Sequence, residues 1–300
     1  MARGSRRNRT GNLHPFRQAG RLPTLNRGLL TACCCPDVFL ELFMTPGIDT
    51  VTLSLLQHKR IYFGHQSVGA NIIEGIRGLY HSNQLGLNIV ESSQPQAYTA
   101  PVFGHSRIGR NQEPRSKIDA FAEILNAGLG KKVDMALLKF CYVDVTDGSD
   151  VAGLFDYYHN VMTQLTSAYP HTRFIHVTIP ITVMPSLLRR IIGGLRRQRN
   201  RGAYDNLARA DYNRLLIQTY AGRQPIFDLA TAESTTDSGQ TLRHSLHGRE
   251  FYTLVPAYSS DGRHLSEIGR RVVAYEFLKC LATVGNEAST PMARTEPTNV

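Results

Sequence analysis

Acidic side chains are missing from the start of the chain, apolar runs of membrane-spanning length are missing throughout, no segment repeats, and the cysteines form no spaced set. Each gap closes off a class of protein. Arg3, Arg6, Arg7, Arg9, Arg17, Arg21 and Arg27 all precede the first acid, Asp37, so a short leader holds seven of the ten net positive charges of the 300 residues. Much of the remainder sits in Arg189, Arg190, Arg196, Arg197, Arg199 and Arg201. The rest is close to neutral, which argues against nucleic acid as a partner, because a nucleic-acid face needs a basic stripe across the folded part. Residues 1–50 therefore read as a basic, disordered N-terminal extension without apolar periodicity. The stretch from Leu29 to Met44 is broken by Pro36, Asp37 and Glu41 and is too short to span a bilayer, so no integral membrane segment is expected. Leu30-Thr31-Ala32-Cys33 has the outline of a lipoprotein cleavage site, but Arg21 to Gly28 supply no apolar signal core before it. The chain as given slightly favours a cytoplasmic location over a secreted or lipid-anchored one. Cys33, Cys34 and Cys35 are adjacent, which suits neither a disulfide framework nor a zinc site. Cys141 and Cys280 fall inside predicted core elements and read as small buried hydrophobes.

What is present is enough for a full core: 42% of the residues are hydrophobic. Five apolar runs, Arg60 to Gly64, Leu87 to Glu91, Met135 to Phe140, Arg173 to Pro180 and Pro225 to Ala230, alternate with helical patterns. Asp150 stands as N-cap before a helix carrying Leu154, Tyr158, Val161, Met162 and Leu165. Ser116 with Asp119 reads as a capping box before Ile118, Phe121, Ile124 and Leu125. The last helix runs through Ile268, Val272, Val273, Phe277, Cys280 and Leu281. This alternation predicts an α/β fold, a three-layer α/β/α sandwich on a five-stranded, mainly parallel, flavodoxin-like sheet, with its ligand crevice at the carboxyl ends of the strands. The domain is expected over residues 51–284, with a disordered tail over 285–300. Ser186 to Gly202, with Gly193-Gly194 and its arginines, reads as an exposed loop, either a solvated insertion or an anion-attracting rim.

The chemistry points to Asp261-Gly262-Arg263-His264, just before the last helix. A carboxylate three residues ahead of an imidazole can accept the Nδ1 proton, fix the tautomer and leave Nε2 free as a base for a hydroxyl nucleophile. The matching hydroxyl is Ser67, in Arg60-Ile61-Tyr62-Phe63-Gly64-His65-Gln66-Ser67-Val68-Gly69, where a strand runs into a helix and the Ser67 amide is presented from the helix N-terminus. Read alone, Ser67 is as well explained as a cap for the helix of Ile72, Ile73 and Ile76, and His264 as a loop histidine. Together they predict attack by Ser67 on an acyl carbonyl, with His264 as base and Asp261 orienting it, in a reaction that uses no cofactor and no metal. His244 and His247 have no neighbouring carboxylate or cysteine pattern to make them zinc ligands. Asp228 and Glu233 either line the pocket or cap turns. Asn206, Arg209 and Asn213 share a helical face from which they could hold a neighbouring loop.

Gly64 to Ser67 after the first strand, the isolated Gly109 in Ile108-Gly109-Arg110-Asn111, and Asp261-Gly262-Arg263-His264-Leu265 before the last helix resemble the GDSL or SGNH hydrolase superfamily, over residues 58 to 284. The resemblance implies an SGNH-type fold, Ser67 as nucleophile, Asp261 and His264 as acid and base, and the Gly109 amide as an oxyanion donor. It also implies an esterase acting on an O-acyl group of a small molecule or carbohydrate. Two blocks depart from the family. The first is Gly-His-Gln-Ser in place of Gly-Asp-Ser, and the third, Lys139-Phe140-Cys141-Tyr142-Val143-Asp144, lacks the family's oxyanion asparagine. Asn111, Tyr142 and Gln66 are the candidates to replace it. Loss of one such donor costs about 10²- to 10³-fold in rate, so the rival expectation is a weak or inactive scaffold acting as a binding protein. Acyl length, alcohol specificity and oligomeric state are not written in the sequence.

Overall fold

The computed structural model describes residues 50–184 and 201–287. The basic leader, most of the arginine-rich stretch and the end of the chain lie outside the described residues. Six strands, β1 (Arg60–His65), β2 (Ile89–Glu91), β3 (Val102–Arg107), β4 (Met135–Leu138), β5 (Arg173–Val177) and β6 (Ile226–Phe227), form one sheet in the order β2-β3-β1-β4-β5-β6. Every pairing is parallel. Without the three-residue edge strand β2, the order is that of a flavodoxin-like sheet.

Helices cover both faces. On one side lie α1 (Thr50–Leu56), α2 (Ser67–Ser82), α6 (Leu229–Ser234) and α7 (Glu267–Glu287), and on the other α3 (Pro114–Asn126), α4 (Val151–Ala168) and α5 (Arg201–Tyr220). Strand alternation sorts the core between the layers. Ile61, Phe63 and Leu137 pack with Ile72, Ile76 and Phe277 on the first side. Tyr62, Ala136 and Leu138 pack with Phe121, Tyr158 and Tyr212 on the second. Strands buried on both faces need near-continuous apolar runs, which is why β1 and β4 stand out in the sequence. A hairpin of β7 (Arg243–Leu246) and β8 (Arg249–Tyr252) lies apart from the sheet, with His247 and Gly248 in left-handed conformation at its turn. No described helix is long and apolar enough to cross a membrane.

Several expectations need correction. The sheet has six strands, not five, because β3 joins it beside β1, and the Leu87–Glu91 run supplies the outer edge. β3 reads Val-Phe-Gly-His-Ser-Arg and shows no apolar run because Gly104 makes room for the Tyr98 hydroxyl and His105 faces a buried partner. Helix α3 starts at Pro114 with Glu113 as N-cap, since proline needs no amide partner in a first turn. Ser116 lies inside that turn, donating to the Glu113 carbonyl and accepting from the Arg110 amide, and Asp119 accepts from the Tyr157 hydroxyl instead of closing a capping box. α7 continues to Glu287, so residues 285–287, read as tail, are helical. Asp150 does cap α4, accepting from the Gly153 amide at 3.0 Å.

Candidate active site

Ser67 is the first residue of α2, immediately after β1. The parallel register sets His65 beside Arg107 and Gly64 beside Leu138, so the loops carrying Gly109, Ser67 and Cys141 leave three adjacent strands at their carboxyl ends. α2 departs to one face and α3 and α4 to the other, which opens the crevice expected where strand order reverses. The first amides of α2 have no intrahelical acceptor and carry the positive end of the helix dipole.

His264 reaches this point from the loop before α7. Its Nε2 lies 3.3 Å from the Ser67 Oγ, and its Nδ1 lies 2.7 Å from Asp261 Oδ2. Asp261 Oδ1 also accepts from the amides of Arg263 and His264, a local turn that fixes the carboxylate relative to the ring. Burial pushes the Asp261 carboxyl up. The opposing hydrogen bonds from the His264 ring and the two amides, with the imidazole charge, outweigh it and bring the carboxyl down to about 2. Ionised Asp261 can only accept, so His264 Nδ1 donates and Nε2 faces Ser67 unprotonated when the ring is neutral. The loop is tied on several sides. Asn71 of α2 accepts from the Leu265 amide, the Ser259 hydroxyl donates to the His264 carbonyl, and Gly262, at φ +83°, accepts from the Val183 amide.

The facing loops are braced from behind. Lys117 and Asp144, both side chains fully buried, pair at 2.5 Å. Asp144 also accepts from the amides of Cys141 and Gln112, and Lys117 donates to Asn111 Oδ1. One ion pair thus joins the loops that follow β3 and β4. Gly109 sits at φ +53° with the Lys117 backbone 2.6 Å from where a Cβ would be, so only glycine fits. Tyr142 stands edge-on to the His264 ring at 5.7 Å, and its carbonyl, with that of Val145, accepts from Arg209 Nε. Asn206 pairs with both backbone groups of Thr182, and Asn213 with both of Ile179, so the α5 face picked out in the sequence does hold the loop after β5.

The other residues singled out in the sequence take the following places. Gln66 is not free to donate to an oxyanion, because its amide nitrogen donates to the carbonyls of Ile108 and Gly109. Cys141 is buried in the hydrophobic core as expected, but it lies in the loop after β4, with its sulfur 3.8 Å from the Ser67 Oγ. Asp228 caps α6 and accepts from the Thr178 hydroxyl, and the fully buried Glu233 accepts from the Ile181 amide. His244 packs on Phe251, and His247 meets the Tyr204 hydroxyl. Lys117 was the legible signal that sequence reading missed, a lysine in step with Phe121 and Leu125 on the apolar face of α3.

No protein-family model matches the chain, and no curated protein does either. Solved structures do resemble it. A GDSL-like lipase from Bacteroides thetaiotaomicron is 13% identical, with 80% of this chain and 95% of that one covered at a TM-score of 0.42. A lipase/acylhydrolase from Enterococcus faecalis is 12% identical over 75% and 96%, at 0.41. The periplasmic domain of a lipopolysaccharide acetyltransferase from Salmonella ser. Paratyphi A is 18% identical over 87% and 98%, at 0.42.

Proposed function

We propose that the chain is an esterase-type serine hydrolase of the GDSL/SGNH kind, cleaving an O-acyl ester of a small molecule or carbohydrate. The observation that carries this reading is the chain of contacts from Ser67 Oγ through both nitrogens of His264 to Asp261, made by residues almost two hundred positions apart in sequence. A serine that merely capped a helix would need no imidazole held at 3.3 Å by an ionised carboxylate.

In this mechanism Ser67 Oγ attacks the acyl carbonyl while its proton passes to His264 Nε2, and Asp261 stabilises the imidazolium. The amides of Ser67 and Gly109 receive the oxyanion. Asn111, whose Oδ1 is anchored by Lys117 and whose Nδ2 is left to donate, takes the place of the family's asparagine. Tyr142 walls the imidazole. The imidazolium protonates the leaving alcohol, and a water activated by the same ring then releases the acid.

The test uses a fluorophosphonate probe and a short-chain acyl nitrophenyl ester on wild type, Ser67→Ala and His264→Ala. Wild type should label and turn over, and both variants should lose turnover by about 10⁴-fold or more. Wild type that neither labels nor hydrolyses any of a panel of acyl esters sinks the reading.

A further inference from the structure

We infer that Gln66 is a positioning residue that aims the Gly109 amide at the nucleophile, and that His65 and His105 lock Gln66 in place. The inference rests on the esterase reading for its catalytic consequence, but the contacts stand without it. Gln66 Nε2 donates to the carbonyl of Ile108 at 2.8 Å and to that of Gly109 at 3.1 Å. In a trans peptide the carbonyl and the N–H point in opposite directions. Drawing the Ile108 carbonyl toward Gln66 therefore turns the Gly109 N–H away from it, and drawing in the Gly109 carbonyl turns out the Arg110 N–H, which bonds the Ser116 hydroxyl at 2.9 Å. Two successive carbonyls can converge on one amide group because Gly109 is left-handed. The Gly109 N–H is left without an acceptor among the described residues, available for an incoming negative oxygen.

The backbone of Gln66 is fixed in turn. Its carbonyl accepts from His65 Nδ1 at 2.8 Å and from the Ala70 amide at 3.2 Å. A carbonyl only accepts, so His65 Nδ1 carries the proton. His65 Nε2 is then the acceptor for His105 Nδ1, 3.1 Å away on β3. Both rings are buried, and desolvation holds His65 down to about 3 and lowers His105, which favours the neutral rings this pattern needs. Gly69 has no Cβ because one would lie 2.3 Å from that of His65. The two residues between Gly64 and Ser67, the point where the first block departs from the family, thus form one brace across β1 and β3. The Gln66 side chain reaches the Gly109 loop, and the His65 ring pins the Gln66 carbonyl.

Two variants test it, Gln66→Met, which keeps the length but removes the donor, and Gln66→Glu, which sets a carboxylate against two carbonyls. Amide hydrogen exchange needs no substrate. In both variants it should accelerate over residues 108–111 while α4 keeps its wild-type protection, and unchanged exchange over 108–111 overturns the brace whether or not the protein is an esterase. With an ester substrate, kcat should fall about 10- to 100-fold with KM within about threefold. Affinity for a boronate that forms a tetrahedral adduct should weaken in step with kcat, which a general loss of packing would not produce. Accelerated exchange with unchanged kcat overturns the aiming role. Accelerated exchange in a protein that hydrolyses no ester keeps the brace and removes the esterase reading instead.

Discussion

At the scale of single residues, Asp261 has two tasks that one substitution separates. Its Oδ1 holds the loop through two amides, and its Oδ2 accepts the hydrogen bond from the His264 Nδ1–H. In Asp261→Asn the carboxamide oxygen can keep the backbone contacts, but its NH2 then meets Nδ1 and forces the proton onto Nε2, leaving Ser67 without a base. The expected result is a fall in kcat of about 10⁴-fold with a melting temperature close to wild type. Because the wild-type carboxyl stays ionised down to about 2, Asp261 should add no step to the acid limb of kcat/KM until the pH nears that value. An acid limb steeper than one proton well above it in a pH–rate profile would contradict the assignment. Asp261, His264 and Ser67 were legible because two of them lie in one short turn and the third at a strand-to-helix junction. The contacts of Cys141 and Gln66 were not, because they are decided by the register of three strands, which no local pattern encodes.

Among the elements, the contact between α2 and α7 sets the distance from Ser67 to His264, since α2 begins at Ser67 and α7 begins three residues after His264. The helices approach closely at Gly75, where a Cβ would lie 2.3 Å from the Arg270 carbonyl and 2.7 Å from Ala274 Cβ. Backbone cannot yield as a flexible side chain can, so Gly75→Ala should push α7 outward and cost about 1–3 kcal/mol, read as a lower denaturant midpoint at unchanged slope. The same displacement should lower kcat, because the His264 loop moves with α7. Wild-type stability in the variant would show that the helices part freely and that their spacing does not fix the site. Elements were readable from sequence where burial on both faces demanded apolar runs, as in β1, β4 and β5. β3 was hidden by the residues that serve the site, namely Gly104 under the Tyr98 hydroxyl and His105 against His65. The start of α3 was misplaced because proline at the first position outweighs the serine that follows it.

For the whole molecule, the α/β alternation and the parallel sheet were in the sequence because alternating runs leave few right-handed parallel arrangements. What stayed hidden is charge in the interior. Lys139 and Glu233 are fully buried, and the Lys139 Nζ and Glu233 Oε1 have no hydrogen-bond partner among the described residues. Desolvation lowers the lysine, while it raises the glutamic acid to about 8 against the Ile181 amide and the cations Lys139 and Arg209. The two shifts act on the proton count in opposite senses, Glu233 gaining protons on folding and Lys139 losing them, so their contributions to the pH dependence of stability oppose each other in the wild type. Removing one partner breaks the balance in opposite senses. In Lys139→Met the folded protein keeps a proton on Glu233 that the unfolded chain has lost, so stability should fall as pH rises from about 4.5 toward about 8. In Glu233→Gln the unfolded chain keeps the lysine proton that the folded interior rejects, so stability should rise with pH up to the ordinary lysine range. Each slope should approach about 1.4 kcal/mol per pH unit, and each single variant should lose about 3–5 kcal/mol at its unfavourable end. The double variant, with neither of these two titrating groups left, should be flat and more stable there than either single one. Chemical denaturation from pH 5 to pH 9 reads all four proteins, and parallel slopes in the two single variants would show that the shifts of Lys139 and Glu233 do not oppose each other.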